Sequence, residues 1–150
     1  MSELIHRILS ESGSLLAYII RADFSADITS FVTPPERNFQ VGFVVYPKDG
    51  TIQSHYHRKI DRKISNTSEV LVVRKGHCEI DIYDDEQTLV ATLEMTTGDV
   101  MVMVSGGHGF RMLEDTVFLE IKQGPYTAID EKKRFYTQDM IPVNEPIIGA

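Results

Sequence analysis

The residues of this chain with the plainest chemical capacity stand together in Ser54-His55-Tyr56-His57. On an extended strand side chains alternate between faces, so His55 and His57 would share one face and Tyr56 would take the other. Two neutral imidazoles side by side can offer lone pairs to one divalent ion, or can move protons near neutral pH. Taken alone, the pair is better explained as an ordinary surface strand with two incidental histidines. Two further residues add weight to the chemical reading. Glu69 opens the stretch Glu69-Val-Leu-Val-Val-Arg74 and falls on the face of Leu71 and Val73. A carboxylate on an apolar face is costly unless it is paired or bound to a cation. His108 follows Gly106-Gly107, where the backbone can turn tightly and aim an imidazole back across the same space.

Smaller candidates surround these four. Arg58, directly after the histidine pair, and Arg111, three residues after His108, carry paired N–H donors suited to a carboxylate or phosphate. Glu120 and Lys122 share one face of an expected strand; they either line a pocket opposite the histidines or form an exposed charge pair. Tyr56 is expected to pack, His77 to sit solvated at a turn, and Met101, Met103 and Cys78 to fill the core.

The elements that must position these side chains read as strands. Residues 15–21, 39–46, 70–74, 78–83, 89–94, 100–104 and 117–122 are short, rich in β-branched residues and bounded by Gly, Pro, Asp or Asn. Residues 1–10 are the only stretch that suggests a short helix. Strands that do not alternate with helices exclude a parallel α/β sheet and point to an all-β sandwich, jelly roll or small barrel. The prolines of Thr33-Pro-Pro-Glu-Arg-Asn38 mark a loop. From Thr127 onward, charges alternate around Pro142 and Pro146, as in an extended arm.

The chain has 150 residues, 42% of them hydrophobic, which is enough for one domain with a substantial core. Its formal charge of −7 excludes a general binder of nucleic-acid backbones, which needs a basic surface. The lone Cys78 rules out an internal disulfide. No apolar run approaches a membrane span, and no basic segment leads into an apolar stretch at the N-terminus, so a cytoplasmic protein is expected.

Two groups of these residues resemble the cupin superfamily. Gly50, His55, His57, Glu69 and Gly76 follow the order of its first motif, with the six-residue interval between Glu69 and Gly76 intact. Gly98, Asp99 and His108 follow the order of its second. Eleven residues separate His57 from Glu69, an insertion relative to the family; the family spacing itself falls on Asp61. The resemblance spans residues 39–123. It implies a double-stranded β-helix, or jelly-roll barrel, with one divalent transition metal (Fe, Mn, Ni, Zn or Co) held by His55, His57, Glu69 and His108. Residues 69–76, 105–110 and 120–126 are further similar to small bacterial cupins associated with surface polysaccharide biosynthesis.

Three functions follow as expectations. One is metal-dependent turnover of a small polar metabolite such as a sugar or sugar nucleotide. Another is metal-free sugar-nucleotide ketoisomerisation, with His55 and His57 as the proton-transfer residues; relatives of that kind carry His-x-His and a basic residue, as in His55-Tyr-His-Arg58. The last is ligand binding without turnover. A homodimer is expected from the terminal segments outside the core motif, with neither nucleic acid nor membrane as partner.

Overall fold

The computed structural model describes residues 3–125 and 132–135. Most of the arm expected from Thr127 onward, including Pro142 and Pro146, lies outside the described residues. Within them the chain is all-β: ten strands in antiparallel sheets and no helix. The strands are β1 (Ile5–Leu9), β2 (Leu15–Ile20), β3 (Ser30–Phe31), β4 (Gly42–Phe43), β5 (Glu69–Lys75), β6 (His77–Tyr83), β7 (Leu89–Thr96), β8 (Val100–Met103), β9 (Gly107–Met112) and β10 (Val117–Lys122). None of the described segments is a helix long and apolar enough to cross a membrane.

A five-stranded sheet, β1-β2-β8-β5-β10, faces a three-stranded sheet, β7-β6-β9. The space between them holds the first core, with Leu16, Ile19, Leu71, Val73 and Met101 meeting Cys78, Ile80, Ile82 and Met95. Cys78, Ile80 and Ile82 alternate inward as strand periodicity requires, and Met101 and Met103 fill the core as expected. A second core lies on the outer face of the larger sheet. There Phe24, Val32, Phe39, Val41 and Phe43 cover Tyr18, Ile20, Val70 and Val102. Being covered on both sides explains why every residue of β2 is buried.

Leu15 belongs to the outer core and Leu16 to the inner one, yet Ala17 also faces inward. The register shifts at this point, where Leu9 pairs with Leu15 but Ile8 with Ala17. A bulge inserts Leu16 and resets the alternation. Two turns depend on glycine. Gly76 joins β5 to β6 at φ +97°, where a Cβ would collide with the Asp115 carbonyl and Thr116. Gly106, at φ +73°, lies so close to the Tyr83 carbonyl that no side chain fits.

Several local expectations need correction. Residues 5–9 form a strand rather than a helix: apolar residues at 4, 5, 8 and 9 mimic a helical spacing, but pairing with β2 takes precedence. Of the strand expected over 39–46, only Gly42–Phe43 pairs, with Ser30–Phe31. His108, expected just after a tight turn, sits inside β9, and the turn falls at Gly106. Alternation with Glu79 and Asp81 would put Tyr83 on the polar face of β6, but it is buried after a register shift between Ile82 and Tyr83.

Candidate functional site

The site builds from three strands at one end of the space between the sheets. Glu69 is the first residue of β5, where it pairs with Lys122 of β10 on one side and Met103 of β8 on the other. It shares the inward face with Leu71 and Val73 and is only 9% exposed. His108 stands opposite Ile82 in the other sheet and faces the same interior. Its Nε2 lies 3.3 Å from Glu69 Oε2, so this contact bridges the two sheets. Two donors about 2.1 Å from one ion lie about 3.0 Å apart at a right angle and about 3.4 Å apart at the tetrahedral angle. The observed separation falls within that range, and a carboxylate with an imidazole suits a transition metal.

Aromatic packing fixes the imidazole. Phe110, two residues along β9, meets His108 edge-on at 5.7 Å and packs on Phe118 of β10 at 4.9 Å. Burial holds the His108 imidazole below its ordinary pKa; Glu69 and then Glu120 oppose the shift, while Lys132 adds to it. The ring is therefore neutral at pH 7, the form that can bind a metal or accept a proton. On β10 the inward face carries Phe118, Glu120 and Lys122 in turn, and Lys122 Nζ lies 3.4 Å from Glu120 Oε1. Glu120 and Lys122 thus form a same-strand pair, and Glu120 is within electrostatic reach of His108.

Just beyond Glu69, Gln123 Oε1 accepts a hydrogen bond from the Ser68 amide at 2.7 Å and ties the start of β5 to the end of β10. A cavity of about 300 Å³ adjoins it, lined by residues 64–67 and 123–125. The Gln123 Nε2 is buried with no hydrogen-bond partner among the described residues. A larger concavity of about 500 Å³, bordered by Arg7, Tyr18, Thr33 and Gln40, includes none of the candidate residues.

The histidine pair stands apart from this cluster. Residues 51–65 form no strand, and His55, His57, Arg58 and Asp61 are all exposed. Tyr56, expected to pack, is 84% exposed. The two rings do face one another, with centroids 5.2 Å apart. His55 Nδ1 lies 2.9 Å from the Gln53 carbonyl. A carbonyl only accepts, so Nδ1 is the donor in this contact, and in the neutral ring Nε2 is the nitrogen left to act as acceptor or ligand. Among the described residues, no three His, Cys, Asp or Glu side chains converge as a metal site. The expected ligands are thus present as two pairs, Glu69 with His108 and His55 with His57.

Arg111 points away from the site. Its alternation in β9 is opposite to that of His108, and its Nη2 and Nε donate to Glu79 Oε1 at 2.6 and 3.2 Å. Asp99, read in sequence only as part of a motif, has a structural task. Its buried carboxylate accepts from Arg21 Nη1 at 3.0 Å, the Ala22 amide at 2.8 Å and the Thr96 amide at 3.0 Å. Two residues near the site escaped sequence reasoning. Lys132 lies in a polar tail with no pattern to mark it, and Gln123 becomes notable only once β10 is placed beside β5.

Comparison with protein-family models, curated proteins and solved structures gave no match. The class defined so far is an all-β protein of antiparallel sheets, with a carboxylate–imidazole pair spanning the end of its interior.

Proposed function

We propose that the chain is a cupin-type jelly roll that binds one divalent transition metal and uses it to hold or transform a small polar metabolite, with a sugar or sugar nucleotide the leading class. The observation that carries this reading is the convergence of Glu69 and His108 from opposite sheets to 3.3 Å. Strand pairing supports the jelly-roll part. β6 pairs with β7 and β5 with β8, two nested antiparallel pairs. Continuing that nest outward calls for partners of β9 and β10 drawn from the chain before β5, where His55 and His57 lie.

In this reading His55, His57, Glu69 and His108 would hold the ion. A metal so bound would act as a Lewis acid on an oxygen of the ligand. The chain's own contribution is orientation and charge. Phe110 and Phe118 exclude water from one wall, and Lys122 and Lys132 bring positive charge suited to an anionic ligand. Elemental analysis of untagged protein purified without chelator tests the proposal. One equivalent of transition metal per chain is expected, lost in His57→Ala. No uptake after anaerobic loading with Fe(II), Mn(II), Ni(II) and Zn(II) would overturn the metal reading.

A second reading is favoured by the neutral His108 and by the anchored tautomer of His55. Imidazoles beside Arg58 suit metal-free proton transfer on a nucleotide sugar. Nucleotide-sugar binding by metal-free protein, weakened by His55→Ala, would distinguish it.

A further inference from the structure

Beyond β10 the chain returns to the candidate site. Phe135 stands edge-on to Tyr83, with ring centroids 5.0 Å apart and planes at 88°. It also lies over Gly107, where a Cβ would come to 3.2 Å from its ring. Gly107 alternates with His108 along β9, so this contact is on the outer face of the strand while His108 faces the interior. Only glycine lets the ring approach the backbone this closely. Beneath this cover Tyr83 is buried, and Phe135 itself is half-buried.

The packing of Phe135 places a charge. Lys132 is three residues earlier, so the two Cα atoms are at most about 11 Å apart. Its ammonium is close enough to His108 to bear on the charge of the imidazole, as are Glu69 and Glu120. The other charged groups around this end are already engaged. Glu69 meets His108 at 3.3 Å, Glu120 meets Lys122 at 3.4 Å, and Arg111 meets Glu79 at 2.6 Å. Asp81 accepts from the hydroxyls of Tyr83 and Thr92. Among the described residues Lys132 is in no ion pair, and it is exposed, as is Lys133. A cation held beside a metal-binding imidazole is repelled by any ion bound there, unless an anion lies between them.

We propose that Phe135 latches residues 132–135 onto β9 and so holds Lys132 beside Glu69 and His108, where its ammonium binds an oxyanionic group, phosphate or carboxylate, of the site's ligand. Phe135 is a positioning residue in this scheme, and Lys132 is a binding residue. Lysine suits the task, as a compact charge on a flexible stem with three donors to turn toward an oxyanion. A divalent ion at Glu69 and His108 would meet the same anion from the other side. That part rests on the function proposed above; the latch does not.

The test uses the full-length chain, first chelator-treated and then loaded with Zn(II). Nuclear Overhauser contacts from the Phe135 ring to the Gly107 Hα and the Tyr83 ring should be present in both forms, and their absence would overturn the latch. Sulfate, as a stand-in for a phosphoryl dianion, and acetate are then titrated at constant ionic strength, with dissociation constants read from the Gly107 and His108 amide shifts. Lys132→Met and Phe135→Ala should each weaken the tighter-bound anion about tenfold, and the double variant should be no worse than either. Phe135→Met, which restores apolar packing, should recover most of the affinity. A Phe135 that only packs would lower the urea midpoint and leave anion affinity unchanged. That result would overturn the proposal, as would failure of both anions to bind. If Zn(II) is not taken up, the metal reading falls alone, because both variants should act on chelator-treated protein as well, at weaker affinity.

Discussion

At the scale of single residues, Glu69 is where function and stability separate. A buried carboxylate facing a neutral imidazole gives the fold little, since desolvation offsets most of the contact. Glu69→Gln should therefore leave the urea midpoint of chelator-treated protein within about 1 kcal/mol while abolishing metal uptake. A loss of several kcal/mol instead would make the carboxylate a structural group. His108 carries a pH dependence of the opposite kind to that of a salt-bridged histidine. The fold disfavours its imidazolium, so on acidification the unfolded chain takes up the proton first. Stability is intact above the free-imidazole value of 6.5 and declines as pH falls from there toward the lowered value in the fold. In metal-free protein His108→Gln should flatten that decline, and urea titrations between about pH 5 and 7.5 would reveal it. An unchanged slope would place the titration elsewhere. The four proposed ligands were legible as residue types, and the inward face of Glu69 followed from period-two alternation. That His55 and His57 stand away from the other two was not legible, because spacing reports which face a side chain takes and not what lies across from it.

At the scale of elements, the strands with β-branched residues were evident, and those defined by context were not. Residues 117–122 match β10 at both ends, because Val117, Leu119 and Ile121 alternate with Phe118 and Glu120. β9 was hidden by Gly107 and Gly109, which signal a turn in isolation; here they let the strand lie close to β6 and Tyr83. Two substitutions test what joins the elements. Asp99→Ala removes the acceptor of three donors and leaves the Arg21 charge without its carboxylate, with only the Glu94 carbonyl and His6 as acceptors, a change expected to cost about 3 kcal/mol in denaturant unfolding. Gly76→Ala forces a Cβ into a left-handed turn against Asp115 and Thr116 and should cost about 2 kcal/mol or more. A near-neutral result at either position would mean that the turn relaxes freely.

At the scale of the whole molecule, the larger sheet is a wall with packing on both sides. Truncating the outer cover should therefore weaken the entire fold. Phe43→Ala, which also removes an edge-on contact with Phe24 at 4.9 Å, is expected to lower global stability by about 2 kcal/mol. Ile60→Ala, at an exposed position, should change chain stability by under about 0.5 kcal/mol. The doubly covered β2 has a further consequence. Leu15 and Leu16 are neighbours that serve opposite cores, so neither core can loosen without disturbing the strand that both share. In heavy water the amides of β2 and β8 should therefore exchange last and together, at the rate set by complete unfolding rather than by any partial opening. The inner core is thus not an independently breathing compartment: it opens only when the strand it shares with the outer core gives way.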